Sequence, residues 1–306
     1  MRVALVVPTY NAGPRWREWL RALDAQTLRP DRLLLIDSSS EDDTVPLARE
    51  AGFEVRVIPR EEFDHGGTRQ LGVEWASDAE VVVFLSQDAT FAAKDALEKI
   101  TACFYNAAVG AAYGRQLPYP DASPIETHAR GFNYPPTSRL KGLDDAGALG
   151  FRTIFFSNAF GAYRQSVLQE VGGFKAGTIS MEDEYLAARI VLAGYKIAYC
   201  AEALAYHSHA YTLRQEFSRY FDFGVFHSRE SWIRERFGQA EGEGMRFLRS
   251  QLGFLWRRQP SLVPLAMTRM TVKLAGFRLG TLEKHLPVSL KRRMSMNKKY
   301  WDRHRD

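Results

Sequence analysis

The sequence predicts an α/β fold: a Rossmann-like, mostly parallel sheet flanked by helices, continued by a helical basic extension. Three observations carry this. Short apolar runs rich in β-branched residues alternate with helical patterns through the first half, the signature of βαβ units covered on both faces. From Leu213 onward Phe217, Tyr220, Phe221 and Phe226 recur at a three-to-four spacing, a helical period. The charge is also divided unequally. Residues 1–228 hold 23 Lys and Arg against 29 Asp and Glu, whereas residues 229–306 hold 18 against 7, so an acidic body precedes a basic tail.

At 306 residues, 45% hydrophobic and 25% charged, the chain has ample material for a core and none of the bias of collagen-like, disordered or disulfide-scaffold classes. Cys103 and Cys200 stand far apart in sequence, without a CxxC or Cys/His cluster, which argues for a reducing compartment and against a zinc ribbon. The first apolar run meets Pro8 and Asn11 too soon for a secretory signal, and no stretch reaches the roughly 18 apolar residues of a membrane span.

In chain order, Val3–Val7, Arg32–Ile36, Glu54–Ile58 and Glu80–Leu85 read as strands, each ended by polar or turn residues. Helices are expected at Pro14–Ala25, Thr44–Ala51 and Gly67–Ala76. The stretch from Tyr113 to Arg152, rich in Pro, Gly and Asp, reads as loops. A helix from Arg164 to Val171 is stopped by Gly172 and Gly173, a second runs from Glu182 to Leu192 before Gly194, and a last strand spans Lys196–Cys200.

Ligands of such sheets bind beyond the carboxyl ends of the strands, which directs attention to a few motifs. Thr9 and Asn11 follow the first strand and Asp37 the second; a carboxylate there can accept from a nucleobase imide or a ribose hydroxyl. Asp42 and Asp43 suit a helix cap equally well. No GxGxxG follows the first strand and no GxxxxGK[ST] occurs, which removes nicotinamide-dinucleotide and P-loop chemistry. In HGGTRQLG, Gly66 and Gly67 before a helix together with Arg69 suit a diphosphate, although the arginine could equally be a surface residue. FLSQDAT sets Asp88 at a strand end, where a hard cation such as Mg²⁺ or Mn²⁺ takes carboxylate and phosphate oxygens. His207 and His209 in YHSHAY are alternate residues able to complete such a site. Glu182, Asp183 and Glu184 complement a helix N-terminus, yet three acids exceed what capping needs, and one could act as a general base toward a hydroxyl.

Taken in order, VVPTYNAG, LLLIDSSSEDDT, HGGTRQLG, FLSQDAT, GGF, MEDEYLAARIVLAGYKI and YHSH resemble the family 2 inverting glycosyltransferases of the GT-A fold, over about residues 1–215. The HGGTR and QDA forms, with AYHSHAYTLRQEFSRYFDFG, are similar to bacterial rhamnosyltransferases that use dTDP-rhamnose to build O-antigen and related lipid-linked polysaccharides. The resemblance implies that Thr9, Asn11 and Asp37 hold the nucleoside, that Gly67, Arg69, Gln87 and Asp88 lie along the diphosphate, and that Asp183 is the catalytic base. Glu182 and His209 become secondary or acceptor-side candidates. Asp88 matches the last acid of the family's DxD metal motif, but Ser86 and Gln87 replace its first two positions. That leaves Asp88 as the one carboxylate ligand and His207 as its partner. Another nucleotide sugar as donor, or a non-catalytic nucleotide-sugar-binding subunit, are the alternatives; a binding module would have no need of a base.

Residues 216–306 form the expected helical extension beyond a catalytic body of residues 1–215. MRFLRSQLGFLWRR, LVPLAMTRMTVKLAGFRLGTL and LKRRMSMNKKYW interleave apolar and basic residues, which suits an anionic membrane interface. A helical bundle with a solvated basic face is the other reading. No nucleic-acid module accompanies the charge. The expected location is cytoplasmic, peripheral on the inner face of the inner membrane.

Overall fold

The computed structural model describes residues 1–238 and 241–303. Residues 239–240 and 304–306 of the expected extension lie outside the described residues. The first half unfolds as β1 (Val3–Thr9), α1 (Trp16–Asp24), β2 (Arg32–Asp37), α2 (Thr44–Glu50), β3 (Glu54–Val57), α3 (His65–Trp75), β4 (Val81–Leu85), β5 (Thr90–Phe91), α4 (Ala96–Ala102), β6 (Val109–Leu117), α5 (Pro124–Asn133) and β7 (Arg139–Lys141). Then come α6 (Ala146–Leu149), β8 (Phe160–Arg164), α7 (Gln165–Val171), α8 (Glu182–Leu192) and β9 (Lys196–Tyr206). The remainder is helical: α9 (Leu213–Arg229), α10 (Ser231–Phe237), α11 (Glu241–Arg258), α12 (Val263–Thr281), α13 (Val288–Met294) and α14 (Lys298–Arg303).

The strands form a single sheet in the order β3-β2-β1-β4-β8-β6-β9-β5, with β7 paired to β9. Strands β1 to β4, β6 and β9 run one way; β8, β5 and β7 run against them. Both faces are covered, which explains the unbroken apolar runs of β1 and β4. Ala4, Val6, Val82 and Phe84 point into one core, and Val3, Leu5, Val7, Val81, Val83 and Leu85 into the other. Helix α1 closes the second core with Trp16 and Trp19, stacked 4.7 Å apart.

Three sequence expectations are corrected. The stretch 113–152 is not loop throughout: β6, α5, β7 and α6 enter it. Strands β6 and β8 were hidden because Gly and Ala interrupt their few strand-forming residues. A Cβ on Gly114 would lie 2.3 Å from the Phe160 ring, and one on Gly110 would lie 2.8 Å from Ile190, so the close layers demand glycine there. Strand β9 continues past Cys200 to Tyr206 and delivers His207 to the sheet end. The two cysteines, distant in sequence, meet: each Sγ faces the Lys99 carbonyl, at 3.7 Å for Cys103 and 3.6 Å for Cys200. Both are free, and their separation along the chain says nothing about redox compartment.

The C-terminal helices share the first core. Phe221, Val225, Phe226, Ile233, Phe237, Tyr300 and Trp301 are buried with Tyr163 and Phe174 of the body. Helices α9 and α12 touch backbone to backbone, because a Cβ on Gly276 or Gly280 would lie 2.5 or 2.1 Å from the Phe217 or Phe221 carbonyl oxygen. Buried acids lock the assembly: Glu216 pairs with Arg269 and Lys273, and Glu283 with Arg229 and Lys291.

Candidate functional site

Parallel register brings the ends of β1 and β2 level, with Thr9 beside Asp37. The Thr9 hydroxyl donates to Asp37 Oδ1 at 2.8 Å, and Ser40 donates to the same carboxylate through its hydroxyl (2.6 Å) and its amide (2.7 Å). Asp37 has no exposed surface. Asn11 adopts a left-handed conformation (φ 44°), gives its amide to Ser40 Oγ and accepts the Glu41 amide. Thr9, Asn11 and Asp37 thus form one network joining the two strand-end loops. Gln87 is turned onto backbone: its Oε1 accepts from the Tyr10 amide (2.7 Å) and its Nε2 donates to the Tyr10 carbonyl (3.0 Å). Arg60 lies 4.3 Å over the Tyr10 ring.

Asp88, His207 and His209 converge. Their ligating atoms lie within 4.8 Å of one another, with His207 Nε2 3.7 Å from Asp88 Oδ1 and His209 Nε2 3.4 Å from Asp88 Oδ2. The Ser86 hydroxyl donates to Asp88 Oδ1 at 2.6 Å. The tautomer of His207 follows from its other neighbour. Gln116 Nε2 donates to Ser157 Oγ and Gln116 Oε1 receives Arg130 Nη1 at 2.6 Å, and a guanidinium can only donate. That oxygen, 2.8 Å from His207 Nδ1, therefore requires a proton on Nδ1, which leaves a lone pair on the Nε2 aimed at Asp88. Burial lowers both imidazoles, His209 to about 4 with help from His207. Two imidazoles and a carboxylate converging at these distances, with the His207 Nε2 lone pair turned toward Asp88, fit a divalent cation.

Helix α8 opens at Met181, itself left-handed (φ 59°), and its first turn is acidic. Glu182 Oε1 lies 3.0 Å from Arg69 Nη1, which also donates to the His65 carbonyl, and receives Asn158 Nδ2 at 3.4 Å. Burial works against ionisation of Glu182, but Arg69 and His65 prevail and hold it below the usual carboxyl range. Asp183 accepts the backbone amides of Asn158 and Glu184, both at 3.1 Å. Burial first, then the charge of Glu182, push it up to about 7. Burial followed by the charges of Asp183 and Glu182 also raises Glu184. Asp183 is thus a carboxylate poised to take a proton near neutrality.

The glycine doublet before α3 serves contacts of its own. A Cβ on Gly66 would lie 2.0 Å from the Lys175 carbonyl oxygen, and the Gly67 amide is given to the capping Asp64 at 2.7 Å. Gly66 and Arg69 therefore fasten α3 to the chain leading into α8 and to α8 itself, while Gly67 serves the cap of its own helix. Several participants carried no sequence signal. Asn158 orients Glu182 and Asp183 of α8, and Gln116 and Arg130 fix His207. They lie outside the elements read from the sequence, and only the tertiary fold assembles them.

Residues 4–172 match the model of glycosyl transferase family 2. The chain is 46% identical to the O-antigen chain rhamnosyltransferase RfbN of Salmonella typhimurium over 303 residues, 99% of this chain and 96% of that protein. To the O-antigen chain rhamnosyltransferase WbaN of Salmonella anatum it is 49% identical over 299 residues, 97% of this chain and 95% of that one. Among solved structures, the mannosyltransferase PcManGT of Pyrobaculum calidifontis, in complex with GDP-Man and Mn²⁺, aligns with a TM-score of 0.58 at 18% identity, covering 98% of this chain and 85% of its own. Staphylococcal TarS (S. aureus) aligns at 0.56 and 14% identity, covering 93% and 91%. These distant likenesses concern the fold.

Proposed function

Since the chain belongs to glycosyl transferase family 2 and has the GT-A fold, we propose that it transfers rhamnose from dTDP-rhamnose, with inversion, to a lipid-linked O-antigen-type glycan. The observation that carries this reading is the near full-length identity to two O-antigen chain rhamnosyltransferases. It is supported by a base of the right acidity at the head of α8. Residues 1–215 are taken as the donor-binding and catalytic body and 216–306 as the helical extension.

In this reading the network of Thr9, Asn11 and Asp37 lines the nucleoside end of the donor site, with Gln87 setting the loop after β4. Asp183 accepts the proton of the acceptor hydroxyl as its oxygen attacks the anomeric carbon from the face opposite the leaving nucleoside diphosphate. A single displacement inverts the centre. Asn158 holds the Asp183 carboxylate through its amide, and Glu182, fixed by Arg69, keeps the base from ionising too early. Asp88, His207 and His209 would hold Mg²⁺ or Mn²⁺, which supplies positive charge for the departing diphosphate. His209 and Glu182 otherwise border the acceptor side.

The extension suits a membrane surface. No helix among the described residues is long and apolar enough to cross a membrane. Helices α11 to α13 nevertheless expose Met245, Trp256, Met267, Leu274 and Leu290 among the exposed bases Arg257, Arg258, Arg278, Arg292 and Arg293. Such a mixture of large apolar and cationic side chains favours an anionic bilayer, where a lipid-linked acceptor resides on the cytoplasmic face. The deciding experiment offers dTDP-rhamnose and UDP- and GDP-sugars with a lipid-linked acceptor and follows the sugar by mass spectrometry. Transfer from another donor in preference to dTDP-rhamnose overturns the assignment.

A further inference from the structure

Arg69, the arginine that the sequence suggests for a diphosphate, is spent on Glu182. A different cation lies near the Asp88 cluster. Arg219 lies on α9, half-buried, and donates from Nη1 to the Tyr211 hydroxyl at 2.9 Å. Its guanidinium carbon lies 5.4 Å from the Tyr211 ring centre and 5.1 Å from that of Phe223. Among the described residues it makes no ion pair, unlike Arg69, Arg229 and Arg269, each held by a buried glutamate. Arg130 also lacks a carboxylate, but its Nη1 is committed to Gln116.

Arg219 stands close to the Asp88–His207–His209 cluster. Its partner Tyr211 stacks on His209 at 5.0 Å, and His209 reaches Asp88, so the guanidinium stands one aromatic ring beyond the Asp88–His207–His209 cluster. A half-buried guanidinium that makes no ion pair keeps its charge available to an incoming anion. The planar fork suits two oxygens of a phosphate chain.

We propose that Arg219 binds the diphosphate of the donor and steadies it as it leaves. This rests on the glycosyl-transfer reading above. As the acceptor oxygen forms its bond to the anomeric carbon, its proton passes to Asp183. The bond from that carbon to the phosphate oxygen breaks, and the electron pair stays on the nucleoside diphosphate. The N–H groups of Arg219 meet the charge that collects there.

The test titrates the full chain, and its Arg219→Gln and Arg219→Lys variants, with inorganic pyrophosphate, dTDP and dTMP by calorimetry, and records each melting temperature without ligand. Arg219→Gln should lose about 10- to 100-fold in affinity for pyrophosphate and dTDP, the worth of charged hydrogen bonds, and only about two- to threefold for dTMP. Arg219→Lys should fall between. The unliganded melting temperature should stay close to the parent's, since among the described residues Arg219 makes no ion pair to break. Binding of pyrophosphate and dTDP within about twofold of the parent by Arg219→Gln overturns the proposal, and so does equal loss of all three ligands with a lowered melting temperature, the mark of a structural arginine. If the parent takes pyrophosphate but not dTDP, the donor reading fails and the pyrophosphate comparison alone decides Arg219; a parent that takes neither refutes both.

Discussion

Arg69 Nη1 and Glu182 Oε1 are 3.0 Å apart in a buried ion pair, and the next residue along α8 is Asp183. The pair places a fixed negative charge beside Asp183. That charge is the largest cause, after burial, of the rise of Asp183 to about 7.

A proton acceptor must be ionised, so kcat/KM should climb with pH through the folded pKa of Asp183. Glu182→Gln removes the neighbouring charge and should move that limb to lower pH by on the order of one unit. Rate profiles between pH 5 and 9 check this, with circular dichroism to confirm that the variant, whose Arg69 has lost its partner, still folds. An unmoved limb in a folded variant would show that the two carboxyls do not sense each other.

Asp183→Asn keeps the shape of the side chain but cannot take the proton. Transfer should fall by roughly 10²- to 10⁴-fold while donor affinity stays nearly constant. The raised pKa also carries a stability signature. The native chain keeps this proton to higher pH than the unfolded chain, so stability falls as pH rises from about 4 to about 7, and the variant should lose that slope. Thermal melts across this range read it directly. If Asp183→Asn keeps full activity, the assignment of the base is wrong.

Gln116 fixes the proton of His207 on Nδ1. Gln116→Leu frees the ring to change tautomer and should weaken Mn²⁺ binding by about 10- to 100-fold, with Asp88→Ala at least as severe. Electron paramagnetic titration of Mn²⁺ measures the affinity, and ¹⁵N shifts of the imidazole report the tautomer without metal. Unchanged Mn²⁺ affinity in both variants would remove the cluster as a cation site.

Calorimetry should show tighter binding of dTDP than of GDP, as the resemblance to dTDP-rhamnose-using rhamnosyltransferases implies; Asp37 and Thr9 are buried in their own hydrogen bonds and act beneath the exposed Asn11 rather than on the base itself. Equal or stronger binding of GDP would sink the donor assignment.

Truncating the basic extension is a poor probe of membrane binding, since Tyr300 and Trp301 belong to the core and the body would be damaged with it. Trp256→Glu with Leu274→Glu is the better test, as both side chains are exposed, at 70% and 55%. The double variant should melt as the parent does and lose flotation with anionic vesicles, and added salt should weaken the parent's binding. A parent that ignores such vesicles contradicts the membrane reading.

Much of the fold was legible where side chains carry a strong intrinsic signal. Strands β1, β2 and β4 are runs of Val, Leu and Ile, and the helices after them end at polar or glycine positions. Strands β6 and β8 were not, because close layers selected Gly and Ala over residues with a strand preference. Within the site, Asp88, Asp183, His207 and His209 stood out as acids and histidines at element ends. Asn158, Gln116 and Arg219 did not, since an amide or a lone arginine acquires meaning only from what the fold sets against it. The sequence marks Arg69 as a cation near a glycine pair; that it is already neutralised depends on a glutamate more than a hundred residues away.

The burial of Trp301 among residues of the body has a consequence for biosynthesis. A nascent chain that has completed β9 still lacks the rings that seal one face of its sheet, and they emerge only after the intervening helices. At about 5–20 residues per second the wait is roughly 5 to 20 s. During it Phe221, Phe226 and their neighbours have no lid, so this face must stay uncollapsed or be shielded by a chaperone, and synthesis halted within α12 or α13 would leave a sticky intermediate.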